Sequence, residues 1–522
     1  MRLAVLYTGG TIGSVGTPLG PLSDRAFQEA FQANLTPILE SEYTELEIGF
    51  IPFGTAVLDS TNLRPSDWCK MAGEILTRYR DYEAFVVLHG TDTMAYSASA
   101  LSFLMTGLHR NGYPNAVLSK PVIFTGSQVP LFYRADSSER LSLRFNTDAY
   151  QNVCGAVAAA HSGAPEVCLY FGNALFRGNR TRKTNASEFD AFSSPNYPRL
   201  GETGVSFELF NERVLHLPTT ESISLESDGA RERLSRQLDF IATHIDSCRV
   251  MPFLAFPAPY GETEDGAMSV LAELLSACVA RKLDGVVLQS YGEGNFPSGN
   301  PDRPEEGAVF EALRDADAAG TILIDNTQVL SGVVNGSSYA SGSWLSGVGV
   351  VGAYDMTPIA ALTKLIYLKT LSRYGDNGWD QDAIKRLMQT NVIGEIMDVN
   401  RLDARGERFL APDASIHALD GTASMVNDPD LGPVLRDRAG ALLWAALSDP
   451  SGADMPGRLY MQGDGNAVFY DASNIVRWSS DTASTSFATS MLVLDGASSP
   501  FGLSLYVYDY ARQAIEKTLF RA

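Results

Sequence analysis

Leu3-Ala4-Val5-Leu6-Tyr7-Thr8-Gly9-Gly10-Thr11-Ile12-Gly13 decides the fold. Five apolar residues in a row, without alternation, make a strand buried on both faces, which is how strands of parallel sheets read. The run ends on a threonine and two glycines, so the chain turns sharply at the carboxyl end of that strand. In an open α/β sheet this end faces the ligand crevice, and glycine lets backbone approach a ligand closely. Taken alone, the hexamer at 8–13 is equally a plain strand-to-helix turn or a nucleotide loop, although the Gly-Lys-Ser/Thr of a P-loop is missing.

The same grammar recurs along the chain. Phe85 to His89, Val122 to Thr125, Val167 to Phe171, Val286 to Gln289 and Thr321 to Asp325 are short apolar runs that read as buried parallel strands. Between them, Ala95 to Met105 and Phe310 to Ala318 have the length and spacing of helices covering a sheet. Alternation of this kind predicts a doubly wound α/β architecture. A chain of 522 residues, 45% hydrophobic, is too long for a single core. The charged, Ser-rich stretch 217–248 reads as an interdomain connection, leaving a larger N-terminal α/β domain at 1–216 and a smaller one at 249–398. From about Arg405 short alternating runs are broken by Gly, Asp, Asn and Ser, so 405–522 is expected to be an all-β module. Trp444 and Trp478 recur 34 residues apart, and Asp437, Asp471 and Asp509 recur in similar settings, which implies three similar β units.

Composition narrows the function. A net charge of -21 and a pI near 4.7 oppose partners with phosphate backbones, so neither nucleic acid nor an anionic membrane is an expected partner. The cysteines Cys69, Cys154, Cys168, Cys248 and Cys278 are odd in number and scattered, unlike a disulfide framework, and the first apolar run is too short for a signal-peptide core. A cytoplasmic location is expected. The six histidines show no ligand spacing, so no metal and no cofactor are expected.

Three further stretches carry chemistry. His89-Gly90-Thr91-Asp92-Thr93 repeats the strand-to-threonine turn of the opening segment; Thr91 and Asp92 are also ordinary helix caps. Arg177-Gly178-Asn179-Arg180-Thr181-Arg182-Lys183 is either a solvated basic loop or a set of cations meeting carboxylates in a crevice. Asp59-Ser60-Thr61 precedes Pro65 and Trp68 and reads as a helix cap or a cluster of donors.

Together these pieces, with Phe85-Val86-Val87-Leu88-His89-Gly90, Pro121-Val122-Ile123-Phe124-Thr125-Gly126-Ser127-Gln128, Ser290-Tyr291-Gly292-Glu293-Gly294-Asn295 and Ala361-Leu362-Thr363-Lys364-Leu365, resemble the type I (cytoplasmic-type) bacterial L-asparaginases over residues 1–398. The resemblance implies an amidohydrolase acting on L-asparagine, in which Thr11 attacks the amide carbon to give an acyl-enzyme. It implies catalytic roles for Thr91, Asp92 and Lys183, with Lys183 a base only if burial and its neighbours Arg180 and Arg182 disfavour its charged form. Asp59, Ser60 and Thr61, together with Thr91 and Asp92, would hold the ammonium and carboxylate of the substrate. A homodimer or homotetramer is implied too. The family's lid tyrosine is missing: Gly16-Thr17-Pro18-Leu19-Gly20-Pro21-Leu22-Ser23-Asp24 contains none, and Leu19 or a neighbour stands in its place, a change that bears on rate more than on binding. An asparaginase-like amidotransferase subunit acting on charged tRNA is the alternative within the enzyme class, and the acidic charge disfavours it.

Near the C-terminus, Gln462, Asp464, Asn466, Val468 and Tyr470 resemble the bulb-type, mannose-binding lectin signature. That resemblance implies a β-prism-like lectin module and a mannose-type glycan as partner. The spacing requires a hairpin in which a loop Gly463-Asp464-Gly465 sets Gln462 opposite Asn466. The other two units have lost the pattern, with Asp428, Asp430, Gly432, Val434 and Arg436 in one and Pro500, Gly502, Ser504, Tyr506 and Tyr508 in the other, so at most one site is expected. A purely structural prism is the alternative for the module. For the whole chain, the alternative is a carbohydrate-binding protein whose amidohydrolase part is impaired by the altered lid.

Overall fold

Strand β1 (Arg2–Tyr7) is buried from Leu3 onward and sits inside a sheet rather than at its edge. In the computed structural model, which describes residues 1–522 except 44, 55–58, 135–139, 218–221, 259–268, 335–339, 407 and 485–488, eight strands form that sheet. They are β1, β2 (Glu47–Ile51), β3 (Ala84–Leu88), β4 (Val122–Thr125), β5 (Val167–Phe171), β6 (Ala174–Arg177), β7 (Gly201–Thr203) and β8 (Phe207–Leu209), in the spatial order β8-β7-β6-β5-β4-β3-β1-β2. From β2 to β5 every pair is parallel, and the remaining strands add antiparallel at the β5 edge. A second sheet, β9 (Val250–Leu254), β10 (Gly285–Ser290), β11 (Ile322–Thr327) and β12 (Val351–Gly352), is parallel throughout. Its strands and helices bury a core that includes Leu271, Val286, Leu288, Leu313 and Leu323.

Helices cover these sheets for readable reasons. Helix α1 (Asp24–Asn34) starts where the Ser23 side chain accepts from Ala26 N, and it lays Phe27 on Tyr7 with ring centroids 4.0 Å apart. Helix α2 (Met94–Leu104) is buried on nearly every side, as its Ala- and Ser-rich sequence permits. Helix α3 (Pro358–Leu371) opens with Thr357 as N-cap and proline in its first turn, and its Thr363 hydroxyl lies 2.7 Å from that of Ser99 on α2.

Contacts divide the chain into two units: Met1–Met105 with Lys120–Asn211 and Leu234–Met388, and Thr106–Ser119 with Glu212–Arg233 and Gln389–Ala522. The first holds both α/β sheets. Among the described residues the second is mostly β, with short helical turns and its share of the helix Asp228–His244. Besides a short ladder of Gly107–Leu108 with Pro114–Ala116, it has the strands β13 (Arg401–Asp403), β14 (Phe409–Leu410), β15 (Ser415–His417), β16 (Ala423–Asp428), β17 (Gly432–Asp437), β18 (Leu442–Ala445), β19 (Arg458–Met461), β20 (Ala467–Tyr470), β21 (Val476–Ser479), β22 (Ser490–Asp495), β23 (Ser504–Asp509) and β24 (Ala514–Arg521). Strands β13 to β24 make three four-stranded antiparallel sheets, β13-β22-β23-β24, β14-β19-β20-β21 and β15-β16-β17-β18. The first three strands are therefore dealt out one to each sheet, and one apolar core receives Leu402, Leu410, Met425, Leu435, Phe469, Leu492 and Leu505. Each sequence repeat is a sheet: Trp444 and Trp478 meet edge-on at 5.7 Å, and Asp437, Asp471 and Asp509 each accept two backbone N–H groups in the turn that follows.

The module is larger than the expected 405–522. Strand β13 lies upstream of residue 405 yet pairs with β22, and segments 106–119 and 212–233 belong to the same unit. Tyr113, Val117 and Ile223 from those segments join Met491, Val493, Tyr506 and Tyr508 in a second apolar cluster. The buried Arg405 ties them further, its Nε donating to His216 O at 3.0 Å. The stretch expected to be only an interdomain connection thus gives its first part to the β unit.

Candidate active site

The strand succession β2-β1-β3-β4-β5 changes direction between β1 and β3, and open α/β sheets bind ligands at such a switch point, outside the carboxyl ends of the strands. Both Gly-Thr turns emerge there, since β1 and β3 run in parallel register. The turns touch. Gly10 has φ 87°, and a Cβ on it would lie 2.3 Å from Gly90 Cα, so nothing larger than glycine fits. A Cβ on Gly90 would lie 2.4 Å from Ser60 Oγ, which puts the Asp59-Ser60-Thr61 turn against the other two. Thr93 Oγ1 reinforces that contact by donating to Ser60 O at 2.8 Å. Thr11 and Thr91 each follow one of the two touching glycines; Thr11 is partly exposed and Thr91 is buried.

Around Thr91 the bonding is fully drawn. Lys183 Nζ donates to Thr91 Oγ1 and to Asp92 Oδ1, both at 2.8 Å, and Thr91 Oγ1 lies 3.3 Å from Gln128 Oε1. The lysine is placed by a short ladder in which Lys183 pairs with Phe192. Asp59 accepts from Thr61 N at 3.1 Å, so it caps its own turn as well as facing outward, while Ser60 is buried. The basic run is not a solvated loop. Arg177 pairs with Glu166 at 2.6 Å with both side chains buried, and Arg180 Nη1 donates to Asp355 Oδ2 at 2.7 Å, with the Tyr197 ring beside both guanidiniums. Arg180 therefore meets its charge in Asp355, and the expectation that it acts on Lys183 gives way to a structural role; burial lowers Arg182 from the usual guanidinium range.

Two residues at the site were not singled out as site residues in the sequence. Gln128 follows β4 in a Gly-Ser-Gln turn, the third use of the strand-glycine-hydroxyl grammar, and Asp148 fixes it by accepting Gln128 N at 2.8 Å and Val129 N at 3.0 Å. His89 is fully buried, which pushes it down to about 4; neutral at pH 7, its Nδ1–H points at Gly90 O, 2.8 Å away, and stiffens the Thr91 turn. The lid segment is a small hairpin pairing Ser14 with Pro21 and Val15 with Gly20, and it carries Leu19 52% exposed.

On the β unit, Gln462 N donates to Asn466 O and Gly465 N to Gln462 O, both at 2.9 Å, with Gly465 left-handed at φ 86°. Gln462 Nε2 donates to Tyr470 OH at 2.9 Å. These two residues, with Tyr460 and Asn474, line a cleft of about 340 Å³. The other signature residues face elsewhere. Asn466 Oδ1 accepts from Ser479, Ser480 and Thr482, Asp464 Oδ1 accepts from Asn466 N, and Val468 is only 3% exposed.

Among the described residues no helix is long and apolar enough to cross a membrane, and no group of His, Cys, Asp and Glu has metal-holding geometry. Comparison with known proteins matches residues 2–215 to the family model for the N-terminal domain of asparaginase and 266–388 to that for the glutaminase/asparaginase C-terminal domain. L-asparaginase 1 of Escherichia coli strain K12 is 33% identical over 409 residues, covering 75% of this chain and 97% of that one. The 60 kDa lysophospholipase of Mus musculus is 32% identical over 418 residues, covering 76% of this chain and 62% of that one. The crystal structure of L-asparaginase I from Vibrio cholerae superposes with a TM-score of 0.55 at 31% identity, over 76% of this chain and 99% of that chain. The switch-point site thus lies within the matched residues, and the chain is an enzyme of the asparaginase family of amidohydrolases.

Proposed function

We propose that the chain hydrolyses L-asparagine to L-aspartate and ammonia, with Thr11 as nucleophile. The observation that carries this reading is the hydrogen-bonded set Lys183, Thr91 and Asp92 beside the turn that bears Thr11. Thr11 Oγ attacks the side-chain amide carbon, the C–N bond breaks, and the nitrogen leaves as ammonia after gaining a proton, leaving an aspartyl ester on Thr11. Water then attacks that ester. Thr91 can pass the water's proton to Lys183 when the amine is in its neutral form, because its hydroxyl already lies within hydrogen-bond reach of Nζ, and the amine then returns that proton before the next turnover. Asp92 anchors the substrate ammonium, and the Asp59-Ser60-Thr61 turn offers hydroxyls and backbone N–H groups to its carboxylate. The five cysteines are free, in keeping with a reducing, cytoplasmic setting, and the family resemblance supports assembly as a homodimer or homotetramer.

Ammonia release from asparagine tests the reading. Thr11→Ala and Lys183→Met should each lower kcat by about 10³-fold or more at unchanged melting temperature. A Thr11→Ala enzyme within tenfold of the parent would remove Thr11 from the nucleophile's role. Lysophosphatidylcholine and glutamine run alongside would show whether esters or the longer amide are turned over by the same threonine.

For the β unit, three sheets around one core and the Gln462–Tyr470 cleft favour a β-prism-like lectin that binds a mannose-type glycan. Titration with mannose tests this. Absence of binding would leave the module a structural prism.

A further inference from the structure

We infer that the cleft on the β unit takes a saccharide of at least two rings, one ring held by Gln462, Tyr470 and Asn474 and the next stacked along Tyr460 and Phe409. This rests on the sugar-binding reading above and changes which residues carry it. Val468, which the signature offers to the C–H face of a sugar, is 3% exposed, and the Asn466 carbonyl already accepts three hydrogen bonds. Apolar contact must therefore come from elsewhere, and the sheet supplies it.

Phe409 on β14 is the direct cross-strand partner of Tyr460 on β19, and Tyr460 is opposite Val468, two residues before Tyr470 on β20. Side chains two apart share a face. The result is a row of rings across three strands: Phe409 and Tyr460 stack with centroids 5.2 Å apart, and Tyr460 meets Tyr470 edge-on at 5.8 Å. Phe409 is 49% exposed, a large apolar side chain at the surface, with the Arg458 guanidinium 5.9 Å from its ring centroid. Two strand spacings of ~4.8 Å make the row about 10 Å long, more than one pyranose ring covers. The cleft proper, about 340 Å³, lies at its Tyr470 end and holds the polar groups.

The chemistry of the row selects its occupant. Aromatic faces carry negative charge density that suits the positively polarised C–H bonds of a sugar ring, and the amides of Gln462 and Asn474 with the Tyr470 phenol suit hydroxyls. The four described residues lining the cleft are uncharged and Arg458 beside Phe409 is a single cation, so a neutral polyhydroxylated ligand suits the row better than an ionic one that needs paired counter-charges.

Isothermal titration of the full-length protein with mannose, α-linked mannobiose and mannotriose is the test. Binding should tighten by tenfold or more from one ring to two. Phe409→Ala should abolish that gain and leave mannose affinity unchanged, and Gln462→Ala should weaken all three sugars. Equal affinity for mannose and mannobiose, or a Phe409→Ala protein that keeps the gain, would overturn the second-ring assignment while leaving sugar binding intact. Failure of every sugar to bind would overturn the sugar-binding reading itself and the assignment with it.

Discussion

Gly10→Ala is the substitution that most directly probes how the site is built. The new Cβ would start 2.3 Å from Gly90 Cα and 2.5 Å from Gly90 N, both backbone atoms that cannot rotate away. Ordinary van der Waals contact lies beyond 3.4 Å, so the turns carrying Thr11 and Thr91 must separate by about 1 Å. Alanine must also adopt φ 87° with ψ -177°, an essentially glycine-only region, at a cost of roughly 1–3 kcal/mol. Misplacing reacting groups by about 1 Å costs on the order of 10²-fold in rate. The variant should therefore keep its fold, lose a few degrees of melting temperature, and show kcat for ammonia release down about 100-fold. Gly90→Ala is the comparison: its Cβ would start 2.4 Å from Ser60 Oγ and 2.7 Å from Ser60 Cβ, so the Ser60 turn must give way, but Gly10 Cα is 3.2 Å off and the two threonine turns are pushed apart less, so the loss should be smaller. Wild-type kcat in a folded Gly10→Ala protein would refute the idea that contact between these turns sets the distance between the two threonines.

Leu19→Tyr restores a phenol to an exposed lid position and should raise kcat several-fold with little change in KM; steady-state kinetics on asparagine decides it. Asp325 accepts from Ser290, and burial pushes its carboxyl up to about 7 from 3.8, so the folded state holds a proton that the unfolded chain has released and stability falls as pH rises from about 4 to about 7. Asp325→Asn should remove that penalty, on the order of 4 kcal/mol above pH 8 at ~1.4 kcal/mol per pH unit, and the advantage over the parent should close near pH 4 in urea melts. Deleting residues 389–522 strips Tyr113, Val117 and Ile223 of their apolar partners, so the shortened chain should bind a hydrophobic dye and aggregate instead of behaving as a free-standing enzyme.

The parallel strands were legible because burial on both faces leaves a continuous apolar run, as at Phe85 and Val122, and the turns because glycine marks where backbone must approach backbone. Thr91, Asp92 and Lys183 take their roles from the family resemblance, and the three are hydrogen-bonded together. Gln128 was quoted but not given a role, since nothing local says that a glutamine after the fourth strand reaches a threonine after the third. The arginines at 177 and 180 looked like solvated or site cations because their partners, Glu166 and Asp355, are set by tertiary packing. The composition of the β unit was hidden for the same reason: Asn111 donates to Tyr508 across almost 400 residues, a pairing that leaves no periodicity.

The three β sheets show why a repeat can be read from sequence while its use cannot. What recurs is the turn: Asp437, Asp471 and Asp509 each accept backbone N–H groups from the residues that follow, whatever further partners Asp471 finds in Arg477 and Asp509 in Thr489 and Arg512, so they keep each hairpin's shape whatever its outer face carries. The outer faces are then free to diverge. On the first sheet Arg436 ion-pairs with Asp428 at 3.2 Å, which occupies the positions where the signature places its polar pair. On the second, Gln462 and Tyr470 stay open to solvent around a cleft. On the third, Tyr508 stands where the second has Tyr470, but it stacks on Tyr113 at 4.2 Å and is buried. A tyrosine that holds a ligand on one sheet holds the chain's own hairpin on the other, because a phenolic ring offers the same flat apolar face and the same hydrogen-bonding tip to either.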